Sequence, residues 1–261
     1  MSSLKGKRVV VTGGSRGLGR AIVHALDRAG AQVVAIARGD AALGQLRSDT
    51  EQRVETRTGD VADPVFAEQV LREVKPDILV LNAGAQPHLA PVREHTWESF
   101  SAAWDTDVRA TFHWSKLALT LPLAPGSTVL ISSSGAAVGG SPLSGGYAGA
   151  KRMQWILADY LQRESKALNL GIRFQALLPR GIVAETEIGG AAATAYAKAT
   201  GLTQEQYMAR FGLVVTAARF GQGVLEILTA PPTDAVACVI TGSGVHPVGL
   251  SLAQSELAAM T

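Results

Sequence analysis

Residues 7–30, KRVVVTGGSRGLGRAIVHALDRAG, decide the fold. The run KRVVVTG is short, β-branched and glycine-terminated, so it reads as a buried strand. In RGLGRAIVHALDRAG the apolar residues Leu18, Ile22, Ala25, Leu26 and Ala29 recur at helical spacing, which predicts a helix with one buried face. Strand, glycine-rich loop and helix, in that order, form the opening unit of a sheet crossed by helices.

The alternation continues along the chain. QVVAIA (32–37), RVETRT (53–58), DILVLN (77–82), STVLISSS (127–134), IRFQALLP (172–179) and AVACVITG (235–242) read as further strands. Helices are predicted near 40–50, 97–121, 146–169 and 214–229, and one after Asp63, an N-cap with Pro64 in the first turn. In that helix Phe66, Val70, Leu71 and Val74 share a face. The expected fold class is α/β: a single Rossmann-type doubly wound parallel sheet of about seven strands with helices on both faces. One domain over residues 1–261 is expected, because no linker, repeat or low-complexity tract divides the chain. Residues 183–212, rich in alanine, glycine and threonine and without a strand signal, are expected to form a mobile helical flap over the substrate.

Composition narrows the function classes. Of 261 residues, 47% are hydrophobic and 18% charged, enough to bury a sizeable core. The 24 basic and 22 acidic residues are interspersed, with no basic run to track a phosphate backbone, so nucleic acid is not an expected partner. The N-terminal stretch lacks a signal-peptide core and no stretch approaches the roughly 20 apolar residues that span a bilayer, so a soluble cytoplasmic protein is expected. Cys238 is the only cysteine, which forbids an internal disulfide, and it reads as a strand hydrophobe. His24, His88, His95, His113 and His246 show no metal-ligand spacing, so no metal site is expected. Trp97, Trp104, Trp114 and Trp155 fall in helical stretches and read as core or subunit contacts.

The loop TGGSRGLG (12–19) carries the first chemistry. Gly13, Gly17 and Gly19 lie between strand and helix, where a backbone without Cβ can approach a pyrophosphate and the helix N-terminus offers free amides to its charge. Ser15, Arg16 and Leu18 belong to the same expected contact loop. At the end of the second strand an acidic residue would bind a ribose 2′-hydroxyl, yet Ala37 and Arg38 stand there. Arg38 together with Arg16 points to a 2′-phosphate clamp, hence NADP(H).

With these motifs the chain resembles the short-chain dehydrogenase/reductase family over nearly its whole length. The resemblance rests on Thr12-Gly13-x-x-x-Gly17-x-Gly19, Asp60-Val61, Asn82-Ala83-Gly84, Ser134 and Tyr147-x-x-x-Lys151. It implies that Asp60, with Val61, meets the adenine. It also implies that Asn82, Ala83 and Gly84 pack along the cofactor ribose and brace the sheet, and that the Tyr-Lys pair is catalytic. In LPRGIVAET it implies that Pro179 and Gly181 accept the nicotinamide end, with Thr186 placed to bond the carboxamide or a phosphate. Arg180, inserted in that turn, could meet an acidic substrate; a solvated loop arginine is the plainer reading.

Residues four apart share a helix face, so Lys151 can set its ammonium beside the Tyr147 phenol. A free phenol has a pKa near 10; an adjacent cation favours phenolate, so Tyr147 can serve as acid in reduction or base in oxidation. Ser134 would hydrogen-bond the substrate carbonyl as charge develops on oxygen. Counting forward from the strand selects Ser133 instead; counting back from Tyr147 selects Ser134, which we take. Two departures from the family pattern stand out. Asp107 occupies the position of an asparagine that helps to hold a relay water near the lysine. Beside Lys151 a carboxylate would stabilise the ammonium and weaken the relay; the alternative is a buried aspartate satisfied by backbone donors. The C-terminal ITGSGVHPVGL lacks the family's Asp-Gly-Gly ending. The resulting expectation is an NADPH-dependent reductase of a ketone or aldehyde, acting on a small-molecule carbonyl or alcohol and assembled as a homodimer or homotetramer. Its rivals are alcohol oxidation or double-bond reduction on the same scaffold, and a non-catalytic NADP-binding regulator.

Overall fold

The N-terminal strand and helix are β1 (Arg8–Thr12) and α1 (Gly17–Arg28) in the computed structural model, which describes residues 4–51 and 53–260. There follow β2 (Gln32–Ala37), α2 (Asp40–Asp49), β3 (Glu55–Thr58), α3 (Pro64–Val74) and β4 (Ile78–Leu81). The middle of the chain forms α4 (Trp97–Ala103), α5 (Arg109–Thr120), β5 (Thr128–Ser132), the short α6 (Ala136–Gly139), α7 (Tyr147–Ala167) and β6 (Arg173–Pro179). It closes with α8 (Glu187–Thr200), α9 (Gln204–Ala209), α10 (Ala217–Thr229), β7 (Ala237–Ile240), β8 (Val245–Val248) and α11 (Gln254–Ala259).

The strands form one sheet in the order β3-β2-β1-β4-β5-β6-β7-β8, parallel throughout except for β8. Apolar residues alternate between two cores. Val10, Ile36, Leu79, Ile131 and Phe174 face α3, α5 and α7, which add Leu71, Trp114 and Trp155. Val9, Val11, Ala35, Val80 and Leu130 face α1, α2 and α10, which add Leu26, Leu46 and Phe220. Both faces of the sheet are therefore covered, which is what near-continuous strands such as ILVL and TVLIS require. The strand order reverses between β1 and β4, and in sheets of this kind the crevice beyond the carboxyl ends at that point receives ligands.

Three sequence expectations are refined. Asp63 caps α3, accepting from Val65 N at 2.9 Å, with Pro64 beside it as predicted. The sheet has eight strands rather than seven: Thr241–Gly244 turns the chain back, and VHPV pairs antiparallel with β7 as an edge strand, where Pro247 costs no interior ladder bond. The helix predicted over 97–121 is broken by a π-helical segment, Trp104–Val108, which carries Asp107. Among the described residues, no helix is long and apolar enough to cross a membrane.

Candidate active site

The carboxyl ends of β1, β4 and β5 are fastened by one asparagine. Thr12 Oγ1 accepts from Asn82 N (2.9 Å) and Ala83 N (3.2 Å). Asn82 Nδ2 reaches the carbonyls of Thr12 and Gly13, both at 3.4 Å, and Asn82 Oδ1 accepts from Ser132 Oγ at 3.2 Å. The bracing expected of Asn82 is therefore present. Gly13 turns the chain with φ +66° and passes so close to β4 that a Cβ would lie 2.8 Å from Ala83 Cα.

Beyond these ends lies a cavity of about 1270 Å³. Gly13, Ser15, Arg16, Gly17 and Leu18 line it from the glycine loop, and Arg38, Asp60 and Val61 from the ends of β2 and β3. Asn82, Ala83 and Gly84 form its floor, with Ser134, Tyr147 and Lys151 on one wall and Pro179, Gly181 and Thr186 on another. Gly19 is the exception among the glycines: it does not line the cavity but packs behind the loop, where a Cβ would run into the Gly13 carbonyl and lie 2.6 Å from Asn82 Nδ2. Asp60 also holds its own turn, accepting from Ala62 N at 2.9 Å.

Tyr147 opens α7, so Lys151 follows one turn later, with its ammonium 5.6 Å from the Tyr147 ring centre. Lys151 Nζ donates to Ser132 O (3.2 Å) and pairs with Asp107 Oδ2 (2.9 Å), both side chains being buried. Burial works against the ammonium, but the Asp107 carboxylate, assisted by the Tyr147 phenol, outweighs it and holds the Lys151 pKa above the usual lysine value. The two sequence readings of Asp107 are both realised, since its other oxygen accepts from Ala85 N at 2.8 Å. Gly84 makes room for it: a Cβ there would lie 2.7 Å from Asp107 Oδ2. The π segment ends one residue later, and such widened turns recur where a helix must re-aim a side chain.

Ser133 and Ser134 differ in what their hydroxyls do. Ser133 is buried and donates to Lys151 O at 2.7 Å, whereas Ser134 is partly exposed to the cavity and only accepts, from Ala136 N at 3.2 Å. A residue that sequence reasoning missed is Gln154, buried three positions after Lys151, whose amide donates to Asp107 O (3.3 Å) and Thr111 Oγ1 (2.7 Å). Its helical phase with Lys151 was the available signal.

Several other candidate residues are engaged by neighbouring groups. Arg16 and Arg38 both line the cavity, and the Arg16 guanidinium pairs with Glu187 in the first turn of α8. Arg38 stands at the cavity wall. Thr186 spends its hydroxyl capping α8, donating to Val183 O and accepting from Gly189 N. Arg180 is not a solvated loop residue: Nε donates to Leu257 O (3.1 Å) and a terminal nitrogen to Phe211 O (2.7 Å), tying two segments to the end of β6. Trp114 and Trp155 are core residues, whereas Trp97 is exposed. Among the described residues no group of three or more His, Cys, Asp or Glu is placed to hold a metal ion.

Residues 7–196 match the family model described as short chain dehydrogenase. A short chain dehydrogenase/reductase from Macrophomina phaseolina is 32% identical over 151 residues, covering 53% of this chain and 86% of that protein. L-xylulose reductase from Mesocricetus auratus is 39% identical over 133 residues, so the chain spans about half the length of that relative: 50% of this chain and 54% of the other are covered. A short chain dehydrogenase from Burkholderia cenocepacia, solved in complex with NADP, superposes with TM-score 0.76 at 23% identity, covering 96% and 100% of the two chains.

Proposed function

The chain belongs to the short-chain dehydrogenase family and is thus an oxidoreductase; from that premise we propose that it reduces a ketone or aldehyde to the alcohol with NADPH. The observation that carries this reading is the convergence of Ser134, Tyr147 and Lys151 on the same cavity as the glycine loop and Arg38. The residues fit the cofactor: the Gly13 cradle is one that a Cβ would fill, and Arg38 at the cavity wall would have a guanidinium to offer a 2′-phosphate. When bound, NADPH supplies the hydride. Ser134 steadies the substrate oxygen, Tyr147 delivers its proton to that oxygen, and the Lys151 ammonium beside the phenol favours the phenolate left behind. Asp107 holds Lys151 in place from behind, without touching the cavity.

Asp107 also motivates a second reading. Lys151 commits its ammonium to Asp107 and Ser132 O, and a relay held this firmly would suit a protein that binds NADP without turning it over. One assay separates the two. Loss of reduced-cofactor absorbance is followed with NADPH and NADH over a carbonyl panel, using the parent, Tyr147→Phe and Arg38→Ala. The expected outcome is turnover that Tyr147→Phe abolishes and a preference for NADPH that Arg38→Ala lowers about tenfold or more, the scale of a lost charged hydrogen bond. Cofactor binding with no Tyr147-dependent turnover supports the binding protein instead. The proposal includes self-association as a dimer or tetramer through α4, α5 and α7, where Trp97, Phe112 and Tyr160 are exposed; a monomer by light scattering refutes it.

A further inference from the structure

The substrate end of the cavity is roofed by residues that lie at or beyond the end of the family match at residue 196. Tyr196 on α8, Tyr207 on α9 and Phe211 just after it all line the cavity. Their rings form one continuous surface. Tyr196 and Tyr207 are nearly parallel, with centres 6.0 Å apart and planes 10° apart; Tyr207 and Phe211 meet edge to face at 5.5 Å. Ile188, Ala192 and Leu257 extend it, and Gly139 and Gly140, which also line the cavity, add no side chain to it.

Several polar groups of this roof are already engaged. Tyr196 Oη bonds Ser141 Oγ (2.6 Å) and Leu143 N (3.0 Å). Arg180 holds the Phe211 and Leu257 carbonyls, and the Arg210 guanidinium lies over the Tyr207 ring at 5.7 Å. Gln86 and Thr106 also line the cavity and would offer partners to a polar substituent. A polyhydroxylated chain pressed against these ring faces would give up hydration for few partners, whereas a flat ring gains stacking and loses little hydration.

On the reductase reading, we propose that the substrates are carbonyl compounds carried on a flat, largely apolar ring system, and not open-chain polyols. Half of this face, Tyr207, Phe211 and Leu257, lies beyond the family match that ends at residue 196.

The test compares kcat/KM for an aryl ketone, a small aliphatic ketone and L-xylulose, in the parent and in Tyr207→Ala. The aryl ketone is expected to lead L-xylulose by at least tenfold. Tyr207→Ala should lower its kcat/KM roughly threefold to tenfold, mainly through KM, the scale of one aromatic contact. The small ketone should stay within about twofold. A lead for L-xylulose, or an equal loss for both ketones, overturns the proposal. A readout without turnover keeps the roof separable from the chemistry: calorimetric titration of aryl ketone into Tyr147→Phe protein holding NADPH. Binding that exceeds that of L-xylulose supports the roof even if no carbonyl turns over and the reductase reading falls. Equal or weaker binding sinks the roof even if turnover is found. Should Tyr207→Ala fail to fold, Tyr207→Leu, which keeps bulk and removes the ring face, is expected to give the same selective loss, and an unselective one refutes it.

Discussion

The cavity is walled by two regions held in different ways. At its sheet end, positions are fixed by backbone and buried charge: Asn82 bridges three strands, and Lys151 and Asp107 pair at 2.9 Å with side chains 6% and 0% exposed. At its flap end, α8 and α9 are hung from side-chain contacts: Tyr196 to the loop before Tyr147, Arg180 to Phe211 O, and Arg16 to Glu187 with side chains 66% and 54% exposed. Two ion pairs of like composition thus do unlike things. A buried pair cannot be broken without stranding a charge, while an exposed pair exchanges its partner for water at little cost. Rigid chemistry beneath an adjustable roof is the arrangement that follows.

The strongest way to break this contrast is Asp107→Ala. It leaves the Lys151 ammonium buried without its carboxylate and the Ala85 amide without its acceptor. Removal of one partner from a buried pair costs about 3–5 kcal/mol. Asp107→Asn keeps an acceptor for Ala85 but turns an amide donor or a neutral oxygen toward the ammonium, so it should fall between parent and alanine. Urea melts read the order directly; a parent-like Asp107→Ala midpoint would mean that Lys151 finds other acceptors and that the sheet end is not rigidly held by charge.

Tyr196→Phe addresses the flap. The ring and its stacking remain, but Ser141 Oγ and Leu143 N are deprived of their shared partner, at a cost of about 1 kcal/mol. Global stability should barely move. Amide exchange over residues 187–209 should accelerate about fivefold, with a similar rise in substrate KM, because the Tyr196 hydroxyl restrains a local opening of the flap and not global unfolding. Unchanged exchange would show that the flap does not hang on Tyr196.

The same contrast explains how much could be read from sequence. Gly13, Asn82, Tyr147 and Lys151 were legible because each acts through local geometry: a turn, a strand end, one helical repeat. The strands were legible because a sheet covered on both faces demands short apolar runs. What escaped depends on partners far along the chain. The Arg16–Glu187 pair joins residues 171 positions apart, and nothing in SRGLG announces it. The π segment at Trp104–Val108 escaped because the apolar periodicity runs on through it, and β8 because VHPV has neither length nor β-branched continuity. Gly19 was legible as a required glycine but not in its reason, which is packing against Gly13 and Asn82 and not access to a ligand. Ser133 and Ser134 were separable only by where their hydroxyls point.

The smallest expected effect is also the sharpest probe of the exposed pair. Arg16 lines the cofactor end of the cavity, yet its guanidinium is engaged by Glu187. A 2′-phosphate drawing on Arg16 would have to compete with that carboxylate and would meet its negative charge besides. Glu187→Gln removes both obstacles while keeping the side-chain length. Stability should change by less than about 1 kcal/mol, as is usual for exposed pairs. KM for NADPH should fall by about twofold to fivefold at low ionic strength, and the gain should fade near 1 M salt, where the screening length contracts to about 3 Å. KM for NADH, which lacks the phosphate, should not move. An equal fall for both cofactors would assign Glu187 to the seating of α8 and not to Arg16. No fall for either would leave Arg38 as the sole cation serving the phosphate.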